Sequence, residues 1–358
     1  MNSLKQNFFY STLYQMLSII LPLITSPYIS RVLGPEKVGI YSYTYSIANY
    51  FVLIAMLGFK NYGIRSIAKV RDNKEKLSKE FWSILELQLI TSSIMFAIYV
   101  FYLVVLRPKY LLIAVLQGIY VFSAMSDISW FFFGLEKFKI TTIRNTVIRL
   151  LGVVAIFTFV KDGNDLPIYV FILSFNILLS QLVLWPFLKR EVHFVKTSFE
   201  DIIVHLKPCA ILFLPVVAVS LYNIMDKIML GSMSTMEESG FYENTEKIVN
   251  IPFGIITALG SVMLPRMTNF VAHNQYKESK KYIELSMNFV MFLSGAMAFG
   301  IAGIAKVFSP VFFGSEFTKC GILIQAITPI IMFKAWANVI RTQLLIPNER
   351  DREYILSL

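Results

Sequence analysis

Charge is scarce in this chain. Of its 358 residues 16% are Asp, Glu, Lys or Arg, while 56% are hydrophobic and the mean hydropathy is +0.62. Soluble globular proteins carry about a quarter charged residues, so a soluble fold is excluded and the bilayer has to supply the solvent. Histidine and cysteine are scarcer still, at three and two. His193, His205 and His273 show no metal-ligand spacing, so no metal site is expected, and nothing calls for a cofactor. Long polar segments are also missing. The longest connections, 60–80, 189–205 and 266–282, are too short to fold as catalytic domains, which argues against an enzyme working on a soluble donor.

What is present is a series of apolar runs of the length that crosses about 30 Å of hydrocarbon. They fall near 8–30, 38–59, 81–106, 110–134, 143–160, 167–188, 206–231, 240–265, 283–308 and 320–346. Each is continuous, as in residues 90–106, rather than alternating with period two, which selects helices over a barrel. The expected fold class is an all-α integral membrane protein of about ten transmembrane helices. With the amino terminus in the cytoplasm, twenty-two Lys and Arg fall in cytoplasmic segments and seven in outer loops, as the positive-inside rule requires. The formal charge of +10 is thereby accounted for without nucleic acid. Cys209 and Cys320 fall near opposite faces of the membrane, which predicts two free thiols. Trp82 and Trp130 are assigned to the interfacial aromatic belt. The first run is too long for a signal-peptide core and is expected to be a retained helix.

Residues 39–49, GIYSYTYSIAN, align with residues 240–250, GFYENTEKIVN, matching at Gly, Tyr, Thr, Ile and Asn. Each copy follows a Leu-Gly pair, Leu33-Gly34 and Leu230-Gly231. The two copies lie six spans apart, so the repeat preserves orientation and implies two bundles related by an axis along the membrane normal. The expected division is 1–190 for an amino-terminal six-helix bundle, 191–205 for a cytoplasmic linker and 206–358 for a second bundle of about four helices.

Within the second copy Glu243, Lys247 and Asn250 share a helical face, with Glu246 beside them. Their repeat partners are Ser42, Ser46 and Asn49. The stripe reads either as one wall of a polar lumen or as an interfacial Glu-Lys pair. Lys334 lies mid-span, where a lysine costs about 3 kcal/mol unless it faces water or a partner. Arg149 either faces a lumen or snorkels to the cytoplasmic headgroups. Lys227, next to Asp226, either meets substrate or forms an ordinary ion pair. Arg31 lies just past the first span, within reach of the interior. Glu86 and Asp127 are carboxyls within apolar runs, suited either to ion coupling, together with Glu243 and Glu246, or to structural hydrogen bonds.

The run Ser126-Asp127-Ile128-Ser129-Trp130-Phe131-Phe132-Phe133-Gly134-Leu135-Glu136-Lys137, followed by Arg144-Asn145, resembles the fourth-helix signature of Wzx-type polysaccharide flippases. Pro27 to Gly34, then Gly39-Ile40-Tyr41, and Leu264-Pro265-Arg266 are similar to the same family. The resemblance implies membership of the multidrug/oligosaccharidyl-lipid/polysaccharide exporter superfamily in the bacterial inner membrane. It implies an undecaprenyl-diphosphate-linked oligosaccharide as cargo, carried by alternating access for O-antigen or capsule synthesis. It further implies two six-helix bundles around a cationic cavity, so that the second bundle here is two helices short. Lys334, Lys247 and Arg149 are the leading lumen candidates, followed by Lys227, Arg31, Asn49 and Asn250. A proton or sodium ion would be the coupling ion, and a polysaccharide polymerase and chain-length regulator possible partners alongside membrane lipids. The competing readings are a multidrug or cation antiporter, whose lumen should favour carboxylates, and a membrane glycosyltransferase or polymerase, which would need a sizeable extramembrane loop.

Overall fold

The computed structural model describes residues 2–348, 350 and 353, with side chains from residue 20 onward except at 258, 261, 262 and 265. The side chains of Lys5 and Pro265, and Arg352 altogether, lie outside that description. All regular structure among the described residues is helical, as expected of an all-α membrane protein. The order is α1 (Asn2–Met56), α2 (Phe59–Val70), α3 (Lys74–Phe101), α4 (Leu111–Ser123), α5 (Ser129–Gly134), α6 (Phe138–Phe159) and α7 (Leu166–Leu182). Then follow α8 (Leu206–Asn223), α9 (Met225–Met233), α10 (Met236–Ala272), α11 (Tyr276–Phe313), α12 (Thr318–Ile327) and α13 (Pro329–Val339).

Among the described residues six helical stretches are long and apolar enough to cross a bilayer, and the bent pair formed by α12 and α13 makes a seventh if it is one span. The shortfall from ten has physical causes. The first two expected spans form one helical run, interrupted only at Gly34 (φ 74°, ψ 171°). Leu111–Ser126 is apolar but short, and α10 carries the charged repeat. Gly34 supplies a positive φ that L-residues resist, and Pro35 then starts the next helix at a position where its missing N–H costs nothing. The chain doubles back there. Ser30 hydrogen-bonds Asn244 at 2.7 Å and Ser42 hydrogen-bonds Glu243 at 2.8 Å, whereas twelve residues of continuous helix would set the two serines about 18 Å apart. The two arms of α1 are called α1a, before Gly34, and α1b, after it.

Other expectations are corrected. Residues 60–80 are not simply a charged loop, because α2 buries Phe59, Gly63 and Ile67 on one face and leaves Lys60, Arg65 and Lys69 outside it. That is an amphipathic helix. The span at 110–134 breaks after Ser126. Gln88 Nε2 donates to the carbonyls of Ala124 and Asp127 at 2.8 and 2.9 Å, and Trp185 Nε1 to that of Ser126 at 3.0 Å, so the backbone freed by the break keeps its partners. The span at 320–346 bends by 45° at Thr328, because Pro329 has no N–H to continue the ladder. Trp130 is no belt residue. It is fully buried, donates to Gln88 Oε1 at 2.8 Å and covers Gly63, where a Cβ would lie 2.4 Å from its ring. Trp82 is half-buried, with its indole on the His193 carbonyl at 2.9 Å. Both cysteines are free and buried.

Candidate functional site

The two copies of the sequence repeat pack against each other. A Cβ on Gly39 would fall 1.7 Å from the Met236 carbonyl oxygen and 2.9 Å from the Gly240 nitrogen, and one on Gly240 would fall 2.0 Å from the Pro35 carbonyl. Only glycine allows backbones this close, as at the small-residue crossings of membrane helices. One turn further along, Ser42 donates to Glu243 Oε2 at 2.8 Å. Equivalent residues meet in the same order along α1b and α10, so these two helices run parallel.

From this contact a charged network extends into α9. Lys227 Nζ lies 2.8 Å from Glu243 and 2.7 Å from Glu246, while Lys247 Nζ lies 3.4 Å from Glu243 Oε1 and 3.3 Å from Asn244 Oδ1. Tyr242 donates to Asp226. Side-chain exposure is 12% for Glu243 and 17% for Lys227, so these charges are held by one another rather than by solvent. Asn244 adds a tie to the other arm, α1a, donating to Ser30 and accepting from Ser26 at 3.5 Å. Within the sequence stripe Glu243, Lys247, Asn250, Glu243 belongs to the contact between the two copies of the repeat. Lys247 and Asn250 line a cavity of about 210 Å³ with Pro22, Leu23, Ser26 and Phe312.

Lys334 lies elsewhere. It lines a cavity of about 390 Å³ with Asn223, Phe253, Asn338 and Arg341, its amine 5.7 Å from the centre of the Phe253 ring. Lys334, Asn338 and Arg341 stand at i, i+4 and i+7, so one face of the α13 stretch is cationic and polar. Arg149 lines a third cavity, about 330 Å³, with Lys60, Asp127, Arg144, Asn145, Asn176 and Gln181. There Arg144 donates to the Ser180 carbonyl at 2.6 Å and to Asn145 Oδ1 at 2.5 Å.

The remaining candidates are engaged in hydrogen bonds. Arg31 reaches across to the Val311 carbonyl at 2.6 Å, Asn49 accepts from Tyr120 at 2.8 Å, and Glu86 accepts from Thr197 at 2.6 Å, which ties α3 to the linker. Asp127 accepts from the Ser129 N–H at 2.9 Å at the start of α5 and also borders the Arg149 cavity. Lys227, Lys247, Glu243 and Glu246 are brought together, with Asn250 at their edge. Lys334 and Arg149 are not, each belonging to its own basic cavity. Sequence reasoning missed Asn244, Arg144 and Arg341 as site residues. The spacing of Arg341 from Lys334 was a usable signal, but its place near the end of an apolar run made it look like a loop residue.

The profile of the family described as polysaccharide biosynthesis protein matches residues 4–271. Among curated proteins the chain is 25% identical over 357 residues to the "Putative O-antigen transporter" of Escherichia coli (strain K12), covering 98% of this chain and 86% of that one. It is 21% identical over 352 residues to a protein of the same name from Shigella dysenteriae, covering 98% and 88%. With three quarters of its length matched, and with the Ser126–Lys137 run indicating the same group, this multi-pass chain belongs to the polysaccharide biosynthesis protein family of Wzx type.

Proposed function

We propose that the protein is a flippase for an oligosaccharide carried on a polyprenyl diphosphate, moving it from the cytoplasmic to the outer leaflet of the bacterial inner membrane. The observation that carries this reading is the asymmetry of the join. The repeats are tied at the end of the molecule that holds Gly34, through Gly39 and Gly240, Ser42 and Glu243, and Arg31 and Val311. The Arg149 cavity, bordered by Lys60 next to Gly58, and the Lys334 cavity, extending to Leu345, lie toward the other end.

Counting both arms of α1, the short α4, the polar α10 and the bent α12–α13 pair gives ten crossings. The Lys and Arg bias then assigns the Gly58 end to the cytoplasm. On this reading 1–190 and 206–358 are two bundles joined on the outer side, with basic cavities accessible from inside, the arrangement an inward-open transporter needs. A diphosphate losing its hydration in the membrane requires cationic partners, and Lys334 with Arg341, and Arg149 with Arg144 and Lys60, supply them. The names of the relatives support O-antigen-type saccharide as the cargo. The cationic character of both cavities disfavours a cation antiporter.

The test is to delete the gene in its native host and extract the lipid-linked saccharides. Build-up of the complete repeat unit in the cytoplasmic leaflet, reversed by re-expression, is the expected result. Unchanged intermediates together with increased sensitivity to cationic drugs would replace the flippase with the antiporter.

A further inference from the structure

Lys247 occupies a position that the pairing of charges does not explain. Lys227 already binds both Glu243 and Glu246 at 2.8 and 2.7 Å, whereas the contacts of Lys247 to Glu243 and Asn244 are long, at 3.4 and 3.3 Å. Lys247 also lines the cavity where α1a, α10 and α11 meet, with the polar Ser26 and Asn250 beside it and Pro22, Leu23, Ile251 and Phe312 among the apolar walls. The helices forming that seam present Ile20, Ile24, Ile255 and Val311 to the surroundings. A lysine in a largely apolar cavity beside helices with exposed apolar faces suits an amphiphile with a hydrocarbon tail in the bilayer and an anionic head.

Lys247 also contacts both residues that tie α10 to α1: Glu243, which holds Ser42, and Asn244, which holds Ser26 and Ser30. Two lysines balance two glutamates in this network. An anion that took Lys247 would leave Glu243 and Glu246 sharing Lys227 alone, and an incompletely compensated carboxylate in a dry interface is costly to keep. Hydrating that carboxylate relieves the cost, and water reaches it by parting the join beside Ser42.

We infer that Glu243 is a built-in stand-in for the cargo's phosphate. The seam cavity binds a polyprenyl diphosphate through Lys247, the phosphate displaces Glu243 from that lysine, and the outer join between the repeats loosens in response. Cargo arrival is thereby coupled to opening of the outer side. This rests on the flippase reading and adds to it the residue that senses the cargo.

The experiment uses the full-length protein in liposomes with a cysteine at Ser46, a buried position one turn inward of Ser42, and a membrane-impermeant maleimide added outside. The parent protein, whose two cysteines are buried, sets the background. Undecaprenyl diphosphate should raise the labelling rate about fivefold or more, the range of ordinary site-to-site coupling, while undecaprenol and inorganic diphosphate should not. Lys247→Ala should abolish the response and Lys247→Arg retain it; Glu243→Gln should label fast without lipid. Amide hydrogen exchange of residues 39–49, read without any cysteine, should rise and fall in parallel.

An equal response in Lys247→Ala, or an equal response to undecaprenol, would overturn the inference. A response to inorganic diphosphate alone would overturn the lipid as the source of the anion. If gene deletion causes lipid-linked saccharide to accumulate but labelling ignores Lys247, the flippase reading stands and the sensor falls. If deletion has no such effect, the flippase reading itself falls.

Discussion

Ser42 and Glu243, equivalent residues 201 positions apart in the two copies of the repeat, are hydrogen-bonded to each other at 2.8 Å. The two copies therefore touch directly along α1b and α10, and the difference between them there, serine against glutamate, makes one mate the donor and the other the acceptor. A hydrogen bond to a charged group contributes about 1.5–3 kcal/mol. A double-mutant cycle on Ser42→Ala and Glu243→Ala, followed by thermal unfolding in detergent, should return a coupling energy in that range. Additive losses would mean that the contact contributes nothing.

Gly39→Val should destabilise by about 1–3 kcal/mol or more, because its side chain has to displace the α10 backbone. Gly295→Val is the control. Nothing lies within 4 Å of a Cβ at Gly295, so the melting temperature should stay within a degree or so of the parent.

Lys227 should be the most costly single loss in the network. Lys227→Ala leaves Glu243 and Glu246 without their closest cation, and removing one member of a buried charge pair costs about 3–5 kcal/mol. Lys227→Met combined with Glu243→Leu and Glu246→Gln removes the unpaired charges as well and should recover most of the lost melting temperature. Failure of the triple variant to improve on the single one would show that the lysine stabilises by something other than compensating these carboxylates.

The repeat that organises this join was legible in the sequence, because Gly, Tyr, Thr, Ile and Asn recur in register. That the copies touch was not, since a helical face carries no label for the partner it packs against. The spans were legible as apolar runs, but the same search passed over α2, whose apolar residues recur every fourth position among lysines and arginines, and it ran through the breaks at Asp127 and Thr328. Trp130 looked interfacial because tryptophan often is. Its burial depends on Gln88, forty-two positions away, and no local pattern encodes that. Of the site candidates, the charges on α10 were found together because they are close in sequence, whereas the pairing of Lys227 with them, and the placing of Lys60 with Arg149 around one cavity, required the packed helices.

Gln88 links the signature run to the third helix, and its replacement is the sharpest test of why that run has its composition. Its amide donates to the carbonyls of Ala124 and Asp127 where the helix breaks, and its oxygen accepts from Trp130. Gln88→Leu is close in volume but strips the Asp127 carbonyl and the Trp130 indole N–H of this partner, each at about 1–3 kcal/mol, and leaves the Ala124 carbonyl the long 3.5 Å bond from the Asp127 N–H. Trp130→Phe frees only one acceptor, but it also leaves a gap over Gly63. Gln88→Leu should therefore lower the melting temperature more than Trp130→Phe, and the two together should lose less than the sum, since they share a bond. A Gln88→Leu variant as stable as the parent would mean that the broken helix is held by packing alone.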